Sequence, residues 1–388
     1  MQTPRRVAHT FFDAYFSGRY AQDVCNDGSI FVDRDGEHFW HILEYMRDGV
    51  VSVAEPGAQP SVSLLRALKR EFGFYCIELC AEETMKPAQP EMTYVIGGYG
   101  TRGRCMINME RYDASSIQWS ATAAMGTPRA CFGSCVVGEA VYVSGGLGDN
   151  GRLSSVEKYS PSRDTWSAVA PLPAARSHHA AVVVGSDMYV LGGSMGGEVT
   201  ASVIKYDSIE GTWTEVGPMP AGRTAFAACA MGTDIYVFGG FAVPPQLEDS
   251  IFKFDTLVST WNTLASMPHA CADQTASVLD GLVYIIGAGV GGCDVLLFDP
   301  ASGVWSTVAP TSHGSARGAS FVVGGCLYAA GGAGFTSSVE RYDVASNTWT
   351  TVADMLEGRT YFSAVTIGSA GPAEEQNLFD SLIAKASH

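Results

Sequence analysis

Beyond residue 91 the apolar positions fall in runs of four or five, set apart by Gly-, Asp- and Ser-rich turns, and one arrangement of them returns six times. Its clearest copy lies between Tyr189 and Arg223. An apolar run closes on Gly192-Gly193, and a second ends in Lys205-Tyr206-Asp207. A turn then leads to Trp213, Met219-Pro220 and Arg223. The aromatic pairs Tyr112/Trp119, Tyr159/Trp166, Tyr206/Trp213, Phe254/Trp261, Phe298/Trp305 and Tyr342/Trp349 are each seven residues apart. The tryptophans step by 47, 47, 48, 44 and 44. Runs such as Val141 to Ser144 and Ile235 to Phe238 alternate small and large uncharged side chains, which predicts strands covered on both faces. Paired aromatics on successive strands can fill the wedge between neighbouring sheets, provided their OH and NH groups find partners there.

The runs close on Gly97-Gly98, Gly145-Gly146, Gly192-Gly193, Gly239-Gly240 and Gly331-Gly332. Glycine suits a strand end where backbones crowd and φ turns positive. A repeat of this length is in the range of four-stranded propeller blades. On these residues the stretch 92–367 resembles the kelch family, which implies a six-bladed β-propeller. The fifth copy departs, reading Gly287-Ala288. Ala288 is therefore expected to mark a different turn, without a positive φ. The first copy begins in mid-blade at Tyr94, and the last leaves a surplus strand from Tyr361 to Ile367. Pairing the two closes the ring and removes two sheet edges.

Residues 1–83 stand outside the repeat. A short strand, Ile30-Phe31-Val32, precedes an Asp33-Arg34-Asp35-Gly36 turn and a helix. Asp35 suits the N-cap, and Phe39, Ile42, Leu43 and Met46 share one face. A second helix follows from about Ser63, with Leu64, Leu65, Leu68 and Phe72 on one side, ahead of Phe74-Tyr75. With Tyr45 and Arg47 these residues resemble the BTB/POZ fold, in the branch typified by the potassium-channel tetramerisation domain. Phe31, Asp33, Arg34, Asp35, Gly36, Phe39 and Arg47 carry its motif. That family opens with a strand pair, whereas eight residues precede His9-Thr10 here, so an incomplete front is expected. The expected organisation is mainly β: a six-bladed kelch propeller over 92–367, preceded by a small α/β BTB/POZ tetramerisation-type domain over 1–83. Residues 84–91 form a linker, and 368–388 a tail with one apolar cluster (Leu378-Phe379, Leu382-Ile383).

Composition narrows the function classes. Net charge is −16, without a Lys/Arg-rich run, which argues against capture of nucleic acid or an anionic membrane surface. No run approaches 18 apolar residues, so no membrane span is expected. The ten cysteines form no C-x-x-C pair, no N-x-[ST] acceptor occurs, and Met1 to Ala8 precede no apolar run. These features predict a reduced, intracellular (cytoplasmic) chain.

Ten residues past the tryptophans stand Arg129, Arg176, Arg223 and Arg359, with Cys271 interrupting the series and Arg317 two residues further on in its copy. Resemblance to kelch propellers implies that arginines at this entry line the face gripping partner peptides, where guanidiniums suit carboxylates. The alternative is that they tie loops by bonding backbone carbonyls. The linear sequence is compatible with both. Gly287 to Gly292 fits G-x-G-x-x-G, but a strand follows where a dinucleotide site needs a helix. His38/His41 with Cys76/Cys80 lack a strong zinc spacing. His178-His179 lack the converging ligands of kelch-bearing copper oxidases. No metal, no cofactor and no catalytic residue are therefore expected. The resemblances together imply an interaction adaptor rather than an enzyme. It would self-associate through the BTB domain, contact a cullin scaffold, and hold a protein substrate on the propeller for ubiquitination. A scaffold for cytoskeletal or vesicle proteins is the alternative, and a propeller enzyme is disfavoured.

Overall fold

The computed structural model describes residues 91–242, 246–289 and 291–368. The BTB/POZ motif residues Phe31, Asp33, Arg34, Asp35, Gly36, Phe39 and Arg47 lie outside them, as does the tail. The chain divides between Pro87 and Ala88, and the described residues all belong to the second unit.

Six four-stranded antiparallel sheets carry the six copies. In blade 2 the strands run Gly133–Val137, Ala140–Ser144, Val156–Ser160 and Thr165–Val169, from the innermost outward. Blades 3 to 6 repeat this order from Ala180–Val184, Ala227–Met231, Thr275–Leu279 and Ala319–Val323. Blade 1 is assembled from both ends of the repeat region. Its innermost strand is Ser363–Ile367, paired in register with Met92–Ile96 from Met92↔Ile367 to Ile96↔Ser363. Each innermost strand neighbours the next around a closed circuit, blade 1 against both blade 2 and blade 6. The surplus strand thus closes the propeller as the sequence predicts.

The core sits between the blades, and the repeat supplies it. Each Tyr or Phe of a third strand packs at a tilt against its own tryptophan, with ring centroids 4.7 Å apart in Tyr206/Trp213, Phe254/Trp261 and Phe298/Trp305. The indole NH groups find their partners in the preceding blade. Trp166 donates to the Ala123 carbonyl, Trp213 to Ala170 and Trp261 to Gly217. Trp349 and Trp119 do the same toward Ala309 and Ala353. Each acceptor lies four residues past the previous tryptophan, so a single sequence spacing stitches adjacent blades. Trp305 alone among the six lacks a partner for its buried NH.

The diglycines are required by close approach. Gly145 has φ 58°, and a Cβ there would stand 2.6 Å from the Arg176 carbonyl oxygen. Blade 5 solves the turn otherwise. Its second strand runs through Leu282–Ala288, with a register shift between Ile286 and Ala288. Ala288 is not among the residues with positive φ, whereas Gly287 and Gly289 are (89° and 72°). The expected irregularity is a β-bulge centred on Gly287.

Candidate functional site: the long-loop face

Strand order gives the propeller two unlike faces. One carries the short turns, together with Glu91 and Gly368. The other carries the long connections: from second to third strand within a blade, and from the outermost strand to the next blade. A built site belongs to the second face.

On it the arginine series resolves. Arg129, Arg176, Arg223 and Arg359 are buried, at 0%, 1%, 3% and 0% exposure. Arg129 donates from Nη1 to the Gly145 and Ser155 carbonyls and from Nη2 to Ser155 Oγ and Glu157 (2.6 Å). Arg359 bonds the Gly97 and Asn108 carbonyls and the buried Glu110. Arg223 reaches Ser250 Oγ at 2.6 Å and Glu248 at 3.2 Å. The partner-binding role expected for these four is therefore corrected. A guanidinium without accessible surface offers nothing to a partner, and each instead ties the entry to a blade onto that blade's second-to-third-strand loop.

Arg176 differs from the rest. Its bonds to the Gly192 carbonyl and Ser202 Oγ are both 3.4 Å, and among the described residues no carboxylate meets it. Burial alone holds its pKa down, at about 10.

Arg317 is the exception in location. It lies two residues beyond the tie position, and its side chain is 51% exposed. The equivalent residues of the other blades are Cys131, His178, Ala225, Asp273 and Tyr361, and all six have positive φ between 52° and 64°. Their backbones form a closed head-to-tail circle. His178 N donates to Cys131 O, Ala225 N to His178 O and Asp273 N to Ala225 O. Arg317 N then donates to Asp273 O, Tyr361 N to Arg317 O and Cys131 N to Tyr361 O. This ring frames the channel mouth, and half of it is chemically rich. Arg317 Nε and the Tyr361 hydroxyl both donate to Asp273 Oδ2, at 3.0 and 3.1 Å. The Arg317 guanidinium lies over the Tyr361 ring, and His178 meets that ring edge-on. The hydrogen bond to Asp273 raises the Arg317 pKa, so it stays charged.

One residue deeper, His179 faces the channel. Gly133 N donates to its Nε2, which makes that nitrogen the acceptor and places the proton on Nδ1. Burial, reinforced by Arg176, pushes its pKa down to about 3. The channel beyond is narrow, about 280 Å³, and lined by small side chains such as Ala181, Ala228 and Ser320.

Beside Arg317 a groove of about 590 Å³ opens over blade 5. Its lining includes the apolar Phe241 and Leu247, the glycines Gly289 and Gly292, and the charged Asp273, Asp294 and Arg317. Two sequence departures create it: Cys271 stands at the tie position, and the Gly-rich bulge replaces the diglycine. Both are visible in the sequence as breaks in a series. The ring two residues past the ties gave no signal, because its six side chains share no chemistry, only a backbone conformation. Among the described residues no group of three or more His, Cys, Asp or Glu is arranged to hold a metal ion. No helix among them is long and apolar enough to cross a membrane.

Comparison with known proteins agrees with this architecture. The KLHDC2/KLHL20/DRC7 Kelch-repeats domain matches residues 84–219 and 178–370, and the BTB/POZ domain family matches residues 1–84. The solved structure of YjhT superposes with a TM-score of 0.59 at 20% identity, covering 68% of this chain and 95% of that one. FH protein interacting protein FIP2 of Arabidopsis thaliana is 51% identical over 55 residues, 13% of this chain and 18% of that protein. Kelch-like protein 40 of Mus musculus is 37% identical over 65 residues, 17% of this chain and 10% of that protein. The chain thus spans less than a fifth of the length of these curated relatives. With the matched repeats covering most of the chain and a second family at its front, it belongs to the kelch-repeat proteins and carries an N-terminal BTB/POZ domain of the potassium-channel tetramerisation type.

Proposed function

We propose that this chain is a protein-interaction adaptor, self-associating through residues 1–84 and holding a protein partner on the long-loop face. The finer reading is a substrate receptor of a cullin-3-type ubiquitin ligase. The observation that carries it is the joining of two families in one chain, a BTB/POZ domain at 1–84 and kelch repeats directly after it. The loop face supports it physically. Its mouth is framed by a closed ring of backbone hydrogen bonds, and beside it lies a groove lined by apolar side chains and a few charges, the usual make-up of a recognition site. Several propellers gathered by one oligomer would raise avidity for clustered partners, since each further contact becomes intramolecular.

The test is co-purification with a cullin N-terminal region. The full chain should retain it, and substitutions within Phe31 to Arg47 should release it without disturbing the propeller. A chain that keeps its propeller partners but ignores the cullin would instead be a scaffold without a ligase.

A further inference from the structure

We infer that the blade-5 groove accepts a basic side chain, arginine above all, from a protein docked on the long-loop face; this rests on the reading of that face as the partner site. The repeat itself points there. In four copies a guanidinium of the chain's own fills the crevice between the entry to a blade and its second-to-third-strand loop. In three of them it donates to a serine four residues before the third-strand aromatic. Arg129 reaches Ser155 Oγ at 3.1 Å, Arg176 reaches Ser202 Oγ at 3.4 Å, and Arg223 reaches Ser250 Oγ at 2.6 Å.

Blade 5 changes both members of this pair. Cys271 stands at the arginine's position, and Asp294 at the serine's. The short Cys271 side chain leaves the crevice as part of the groove, and Asp294 lies on the same groove. A carboxylate is a stronger acceptor for a guanidinium than a hydroxyl, so blade 5 has the better acceptor and, with Cys271, no guanidinium at the tie position.

Among the described residues the neighbouring charges do not engage that acceptor. Asp273 is engaged by Arg317 and Tyr361, while the Asp294 carboxylate makes no hydrogen bond or ion pair with any described residue. It packs over Gly289, where a Cβ would run into it. Arg317 and Asp273 offset each other, which leaves Asp294 as the remaining carboxylate of the lining, in a groove that His269 also borders. Blade 6 shows the contrasting case. It too lacks the arginine, having Ser315, but its buried Glu340 is met from within by His313 Nδ1 at 3.3 Å and by the Ser312 NH. The apolar Phe241 and Leu247 of the lining suit an arginine's stem and flat head. The propeller already holds guanidiniums over aromatic rings, Arg223 above Phe252 at 4.9 Å and Arg317 above Tyr361 at 5.3 Å among them. The planar fork favours arginine over lysine here.

Random displayed peptides, selected on the full-length chain, test this. The enriched peptides should share an arginine at one position, and citrulline there should weaken binding about tenfold or more. That loss corresponds to about 1.4 kcal/mol. Asp294→Asn should weaken binding similarly. Cys271→Arg, supplying the internal tie, should abolish it while melting no lower than wild type. Selection without a shared basic residue, or with no binder at all, overturns the inference, as does full binding to Cys271→Arg. If such peptides still lose binding on Leu247→Glu, the face stands as the partner site and only its chemistry was misread. Insensitivity to every one of these changes removes both readings.

Discussion

At the scale of single residues, position decides what an identical side chain does. Arg129 and Arg176 occupy the same place in successive blades and are both buried, yet only Arg129 meets a carboxylate, Glu157. Arg129→Met should leave the Glu157 charge buried without its cation and cost about 3 kcal/mol or more. Arg176→Met should fall within about 1 kcal/mol of wild type or exceed it, since it removes a desolvated charge met only by two long hydrogen bonds to neutral oxygens. Urea midpoints of the two variants check this, and equal losses would contradict it. His179 gives a pH signature. Its folded pKa is about 3 against an ordinary 6.5. Between those values the unfolded chain binds a proton that the folded one does not. Its contribution to stability is therefore full above about pH 6.5 and falls with acidification, by about 1.4 kcal/mol per pH unit at the steepest. His179→Phe, taking the residue found at this place as Phe132, Phe226 and Phe362, should flatten the difference between pH 6 and pH 4 in denaturant titrations. An unchanged slope would show that the imidazole is not the group responsible. The sequence marks out the arginines but not their burial. A W-x-x-x-x-x-x-x-x-x-R spacing is the same whether the guanidinium turns to solvent or into a loop. Their partners Glu110 and Glu157 lie on strands whose inward face only the fold reveals.

At the scale of the blade, nearly everything was legible. The seven-residue aromatic spacing fixes two strands and the hairpin between them, and the diglycines mark where the second strand stops. The apolar runs declare strands covered on both sides, as Val141 and Ile235 at 0% exposure are. The indole bond to the preceding blade was legible only as a need, since its acceptor is a bare carbonyl without sequence identity. Trp213→Ala removes that bond and the packing against Tyr206 and should cost about 3 kcal/mol. A change in melting midpoint below one degree would refute a wedge role for these tryptophans. The groove was half legible. Cys271 and Gly287-Ala288 stand out as breaks in a repeat, but that the two breaks open one crevice follows only once the entry loop and the bulge are brought together.

At the scale of the molecule, ring closure and assembly matter most. Ser363–Ile367 completes blade 1 against Met92–Ile96, so deleting residues 363–388 leaves the paired edge of Met92–Ile96 open. The deletion should convert one cooperative unfolding transition into a broad one; retained cooperativity would mean the ring does not depend on its closing strand. The proposed adaptor role rests on the family match at residues 1–84 working together with the propeller. The most direct measurement is mass by light scattering, for the full chain and for residues 88–388, each alone and with a purified cullin N-terminal region. An adaptor should give a multimer for the full chain, a monomer for the propeller unit, and added cullin mass only on the former. A full chain that stays monomeric and gains no mass would contradict that role.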